Sequence, residues 1–191
     1  MGGWTMVDQR DDKAKTAKGG NGEGARGGAA GRARRPAESR QARFGQSFSQ
    51  VIAVLMRDQN FRNMRIADLE WLVLPPIMAG QFRLAHMPAP PRPGEKPQPA
   101  DKGGVLVPVA VALWARVSPQ IDKGLSENLD KPVRLKTNQW ASGNIIWLMA
   151  VAGDRRAIPK FLEQLKEKEF KGQEVKMRAN AGDGKVVVKT L

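Results

Sequence analysis

The run Ile145-Ile146-Trp147-Leu148-Met149-Ala150-Val151 contains no polar residue, so it is expected to be a strand buried on both faces. A polar turn, Trp140-Ala141-Ser142-Gly143-Asn144, leads into it, and Gly153-Asp154-Arg155-Arg156 leads out. The apolar residues that follow, Ile158, Phe161, Leu162 and Leu165, share one face of a helix. The unit is therefore strand, glycine turn, helix. Backbone amides at such a turn are expected to be unpaired and to point outward, which suits a phosphate or an acyl carbonyl oxygen. Arg155 and Arg156 would add positive charge. Ser142, Gly143, Asn144, Gly153, Arg155 and Arg156 are accordingly the candidate substrate-binding residues. The alternative is purely structural: a glycine cap after the strand and a shaped turn before it.

A chain of 191 residues with 41% hydrophobic content suffices for one good core, which favours one domain with a tail. There is no cysteine and a single histidine, His86. Disulfides, thiolate catalysis and cysteine-ligated metal are excluded, and no imidazole cluster is left for zinc, so no metal site and no bound cofactor are expected. Chemistry must then use carboxylates, amides, hydroxyls, Lys or Arg. No apolar run approaches the length of a membrane span, and Met1-Gly2-Gly3-Trp4-Thr5-Met6 lacks the apolar stretch of a signal peptide. A cytoplasmic protein is expected. The net charge of +13 attracts polyanions in general: nucleic acid, an anionic membrane surface or an acidic protein. No alternation of aromatics with Arg and no helix-turn-helix spacing singles out nucleic acid.

Residues 1–43 are rich in Gly, Ala, Arg, Lys and Asp and are expected to form a disordered basic tail, because they bury too little apolar area to offset chain entropy. From Phe44, the residues Phe48, Val51, Ile52, Leu55 and Met56 predict a helix to about Arg57. Leu69-Glu70-Trp71-Leu72-Val73-Leu74 reads as a strand ending at Pro75-Pro76, and Gln81 to His86 alternates like a second, antiparallel strand. Residues 87–104 carry a proline cluster and form an exposed loop within the 44–191 domain. Val105 to Ala115 is the most apolar run and predicts a central strand, its β-branched residues arguing against helix. Ser118 to about Leu129 reads as helix and Lys131 to Gln139 as a polar connection. Val175 to Arg178 and Lys185 to Thr190 predict a closing pair joined at Asn180-Ala181-Gly182-Asp183-Gly184.

This order of elements resembles that of a GNAT-type acyltransferase: α+β, with a mixed, mostly antiparallel sheet flanked by helices. More specific are short matches in sequence order. Leu74-Pro75-Pro76-Ile77 with Gln81-Phe82, then Pro108-Val109-Ala110 with Trp114-Ala115 and Ser118, then Trp140-Ala141-Ser142-Gly143 with Trp147, follow one another as in the RTX toxin-activating lysine acyltransferases. The chain looks like a divergent member of that family from about Gly45 to its C-terminus. The resemblance implies transfer of a fatty acyl group from acyl carrier protein to an internal lysine of a protein target. It also implies a groove for the phosphopantetheine arm and a basic surface for an acidic carrier protein, which the positive charge suits.

Family members use a histidine near the N-terminal end and an aspartate on the central strand. Counting without a gap from Leu74-Pro75 puts the histidine position at Phe61, and counting from Trp140 and Gly143 puts the aspartate position at Ala150. Neither side chain accepts a proton. Asp58, three residues before Phe61 and on the same helical face, is the nearest replacement base; Asp154 and His86 are the others. Three functions follow as expectations: an acyltransferase with a substituted base, an inactive relative serving as an interaction or accessory subunit, or, third, nucleic-acid binding by the basic tail.

Overall fold

The computed structural model describes residues 5–6, 29–90, 105–182 and 184–191, with side chains from residue 39 onward. At its centre lies β3, Leu106–Val117, the most apolar run of the sequence. It pairs antiparallel on one side with β2, Phe82–Pro88, and on the other with β4, Ile145–Gly153. A two-residue strand β1, Thr5–Met6, continues the sheet beyond β2. On the far side β5, Val175–Asn180, runs parallel to β4 and antiparallel to β6, Val186–Thr190. The sheet is thus six strands in chain order with one parallel pair, flanked by helices, as the resemblance implies.

The helices divide between the two faces. Helix α1, Ala29–Leu55, lays Val51, Val54 and Leu55 against Val111, Leu113 and Ala152. It begins well before Phe44, where the apolar stripe starts. The added turns hold mostly Ala, Arg, Glu and Gln, whose helix propensity is high without burial. On the other face α5, Ile158–Leu165, and a π-helical turn, Lys166–Phe170, bury Phe161, Leu165 and Phe170 against Trp114, Ile146 and Leu148. Trp114 meets Phe170 edge-on at 5.3 Å. Arg83 is buried beside them, stacked over Trp114 and paired with Glu169. Helix α4, Pro119–Glu127, covers the β4–β5 end of the α1 face.

One element departs from the sequence expectation. Leu69 to Leu74 is not a strand but α2, Leu69–Leu72, running into α3, Leu74–Met78. The Val73 and Ile77 amides donate to the carbonyls of Leu69 and Val73, at 3.0 and 3.3 Å. Leu69, Leu72, Val73, Pro76 and Ile77 recur at helical spacing, and Pro75 and Pro76 occupy a first turn in which their missing N–H groups are not needed. Residues 1–4, 7–28, 91–104 and 183 lie outside the described residues, and with them most of the expected tail and proline loop. Among the described residues no helix is long and apolar enough to cross a membrane, and no cluster of His, Asp and Glu could hold a metal.

Candidate functional site

β4 is bordered unequally. Against β3 it keeps register over eight residue pairs, from Val117 opposite Ile145 to Ala110 opposite Gly153. Against β5 it keeps only three, Ile146 with Val175, Trp147 with Lys176 and Leu148 with Met177. Beyond Leu148 the parallel strands are no longer paired, so a gap opens toward the C-terminal end of β4. The β3 register slips at the same point: Leu113 faces Ala150 and Trp114 faces Leu148, leaving Met149 as the extra residue of a β-bulge. The bulge turns Met149 and Ala150 toward one face, and both belong to the core under α1.

The two positions that the resemblance assigns to the family's histidine and aspartate, Phe61 and Ala150, belong to one apolar cluster. Ala150 is buried, and Phe61, in the turn after α1, packs half-buried against the same core. Phe61 is held by its backbone, its amide donating to the Asp58 carbonyl at 3.2 Å.

Asp58 is close by and already engaged. One carboxylate oxygen accepts the Asn60 amide at 2.9 Å and the other accepts the Gly153 amide at 3.0 Å. It therefore ties the end of α1 to the end of β4. Asp154 lies one residue further and accepts both the Arg156 amide and its guanidinium, at 2.9 and 3.0 Å. The side-chain bond from Arg156, with the amide bond behind it, holds the Asp154 carboxyl below its ordinary range. His86 sits on β2 opposite Pro108, 6% exposed, with Nδ1 lacking a hydrogen-bond partner. Burial lowers its pKa, so the imidazole is neutral at physiological pH.

The candidate binding residues separate into two groups. Ser142, Gly143 and Asn144 precede β4, whereas Gly153 ends it and Arg155 and Arg156 follow it. A nine-residue strand between them keeps the groups roughly 26 Å apart, so they do not form one site. Nor do most of their amides point outward. Gly143 donates to the Arg116 carbonyl at 3.1 Å, Gly153 to Asp58, Asp154 to the Val109 carbonyl at 2.9 Å, and Arg156 to Asp154. The Ser142 hydroxyl accepts the Ser118 amide and donates to the Gln139 carbonyl, both at 3.0 Å. The reason is crowding. A Cβ on Gly143 would fall 2.4 Å from the Val117 carbonyl oxygen, and one on Gly153, where φ is +130°, 2.2 Å from that of Val109. These glycines bring chain against chain and leave no cradle for an anion. The Asn144 and Arg156 side chains are exposed, and Arg155, also exposed, reaches the Gln59 amide oxygen at 3.5 Å.

At the C-terminal end of β4, Asp58 holds the Gly153 amide and Arg155 reaches Gln59 from the next turn. Beside that end is a cavity of about 310 Å³ lined by Val54, Arg57, Val109, Gly153 and Asp154. Arg57 fixes its rim by donating to the carbonyls of Ala53 and Pro108, at 2.7 and 2.8 Å. The closed end holds a polar node absent from the sequence expectations. Asp122 accepts the Trp147 indole N–H at 2.7 Å and the Lys176 ammonium at 3.0 Å on each oxygen. Its members come from α4, β4 and β5, and no local spacing announces it.

Residues 105–190 match the model of the RTX toxin acyltransferase family. No curated protein matches the chain.

Proposed function

Since the chain belongs, through residues 105–190, to the RTX toxin acyltransferase family, we propose that it binds a fatty acyl thioester in the gap beside β4 and presents it to a protein lysine. Acyl-loaded carrier protein is the donor in this reading, with the basic surface receiving the acidic carrier. The observation that supports it most is the register of β4: pairing with β5 stops at Leu148, next to the bulge at Met149 and two residues before Ala150, to which the resemblance assigns the family's aspartate.

Acyl transfer needs two services. The attacking amine must lose a proton, and the oxygen of the tetrahedral intermediate must be stabilised by donors. General-base assistance is typically worth about 10²–10⁴-fold, and Phe61 and Ala150 provide none. Transfer would then rest on approximation of a naturally reactive thioester to the amine, with Asp58 the nearest carboxylate. Its two backbone bonds fix it at the junction of α1 and β4.

A second reading is favoured by the burial of Ala150 and the packing of Phe61 in one apolar core. In it the thioester pocket serves only as an interaction or accessory module. Intact-mass measurement of a candidate target protein, incubated with this chain and acyl-loaded carrier protein, separates the two. A mass gain that is lost in Asp58→Ala and raised in Ala150→Asp supports the enzyme. No gain in any sample, with the carrier still co-eluting, leaves the accessory reading.

A further inference from the structure

Four large apolar side chains among the described residues are exposed, and two of them flank one connection: Met56, 68% exposed, and Ile66, 86% exposed. The connection runs from the end of α1 at Leu55 to a 3-10 turn, Ile66–Asp68. Single exposed apolar residues are ordinary on a protein surface. These two are set among cations: exposed Arg57 adjoins Met56 in the chain, exposed Arg65 adjoins Ile66, and exposed Arg62 lies between them.

The connection is held from within. Its partly buried residues recur at every third position: Asp58, whose carboxylate accepts the Gly153 amide, and Phe61 and Met64, which pack on the core under α1. The Arg62 amide donates to the Asp58 carbonyl and the Met64 amide to that of Phe61, each at 2.9 Å. The exposed residues between them are thus preorganised, and covering them costs little ordering entropy. Their charge is one-sided. Residues 56–66 hold three arginines against a single carboxylate, Asp58, which is already engaged by the Asn60 and Gly153 amides. Arg57 donates to the neutral carbonyls of Ala53 and Pro108, so its charge persists, and Asp68, two residues past Ile66, is taken by the Trp71 indole and Arg134. Exposed Arg155, reaching Gln59, adds a further cation beside the connection.

We infer that this connection docks on an anionic lipid bilayer, Met56 and Ile66 entering the headgroup layer while Arg57, Arg62 and Arg65 are drawn to the lipid phosphates and carboxylates. A nucleic acid would leave both apolar side chains uncovered and would find no fully exposed aromatic ring here to stack on, Phe61 being half-buried. An acidic protein would need a fitted apolar pocket for each of two side chains at opposite ends of an irregular segment. A fluid bilayer needs no such fit. The inference does not rest on acyl transfer.

Because the chain has no cysteine, Ile66→Cys takes a single environment-sensitive nitrobenzoxadiazole label, and Met78→Cys, at an exposed apolar residue of α3, is the control. Vesicles of phosphatidylcholine with phosphatidylserine should blue-shift and brighten the label at position 66 and leave that at position 78 unchanged. Vesicles of phosphatidylcholine alone should do neither. In vesicle co-sedimentation of the full chain, Met56→Ser/Ile66→Ser should bind the anionic vesicles about tenfold more weakly than the wild type. Arg62→Glu/Arg65→Glu should weaken binding further, each arginine near such a surface contributing about fivefold. Lys166→Glu/Lys168→Glu, after α5 on the other face of the sheet, changes the net charge equally and should have a smaller effect. An unchanged label at position 66, equal shifts at the two positions, or equal losses in the two charge-reversed variants would overturn the inference. So would the same shift with soluble poly-glutamate, which would point to an acidic protein instead. None of these outcomes bears on acyl transfer at β4.

Discussion

The two flanks of β4 are built by different means. On the β3 side, eight register pairs and a glycine approach press strand against strand, and the backbone itself holds the contact. On the β5 side three pairs suffice, and side chains complete the join: Lys176 and Trp147 meet on Asp122, while Arg178 donates to the carbonyls of Leu125, Asn128 and Lys131 at the end of α4. A seam made by backbone tolerates no added atoms. A seam made by side chains can stop partway and leave a gap, and here the pairing stops two residues before Ala150.

The comparison can be broken most severely at Gly153. Gly153→Val places a branched side chain at φ +130° and within 2.2 Å of the Val109 carbonyl, and should cost about 3 kcal/mol or more, read as a lower midpoint in urea unfolding. A loss under half of that would mean that the β3 seam yields more easily than described. Next is Asp122→Ala, which leaves the Lys176 ammonium and the Trp147 indole without their partner. Both charged groups are partly solvated, so the loss is set at about 2 kcal/mol rather than the larger figure for a fully buried pair. Hydrogen exchange should speed up in β5 and not in β3; uniform acceleration would contradict the division between the flanks.

The smallest effect concerns pH and lies one strand beyond the β3 seam, where His86 on β2 faces Pro108. Its folded pKa is lowered by burial, so as pH falls the unfolded chain takes up the proton first. The stability this group contributes is complete above the ordinary imidazole value and is lost as pH drops from there through the lowered one. Urea midpoints compared at about pH 7.5 and about pH 5 should fall more steeply in the wild type than in His86→Gln. Parallel profiles would show that His86 is not the group responsible.

Much of the sheet was legible in the sequence because its strands are apolar runs whose neighbours are set by chain order. The strand from Ile145, the central strand from Leu106 and the closing hairpin all lie where periodicity and turn residues put them. Leu69 to Leu74 was misread because a short apolar run flanked by prolines suits a strand as well as a helix; the spacing of Leu69, Leu72, Val73, Pro76 and Ile77 was the better guide. The turn amides were misjudged for a different reason. Glycine marks either an open cradle or a close approach of backbone, and only the positions of Val117 and Val109 distinguish them. Asp122, Lys176 and Trp147 were invisible, being brought together from three elements with no common spacing.

The bond between the Gly153 amide and Asp58 spans 95 residues of chain. During synthesis α1 emerges from the ribosome long before the residue that fastens its end, so until β4 is made the helix can dock only on the β2–β3 pair. Closure of the α1–β4 junction must therefore wait for residue 153, and a nascent chain stalled before it would leave part of the apolar stripe of α1 open to chaperones.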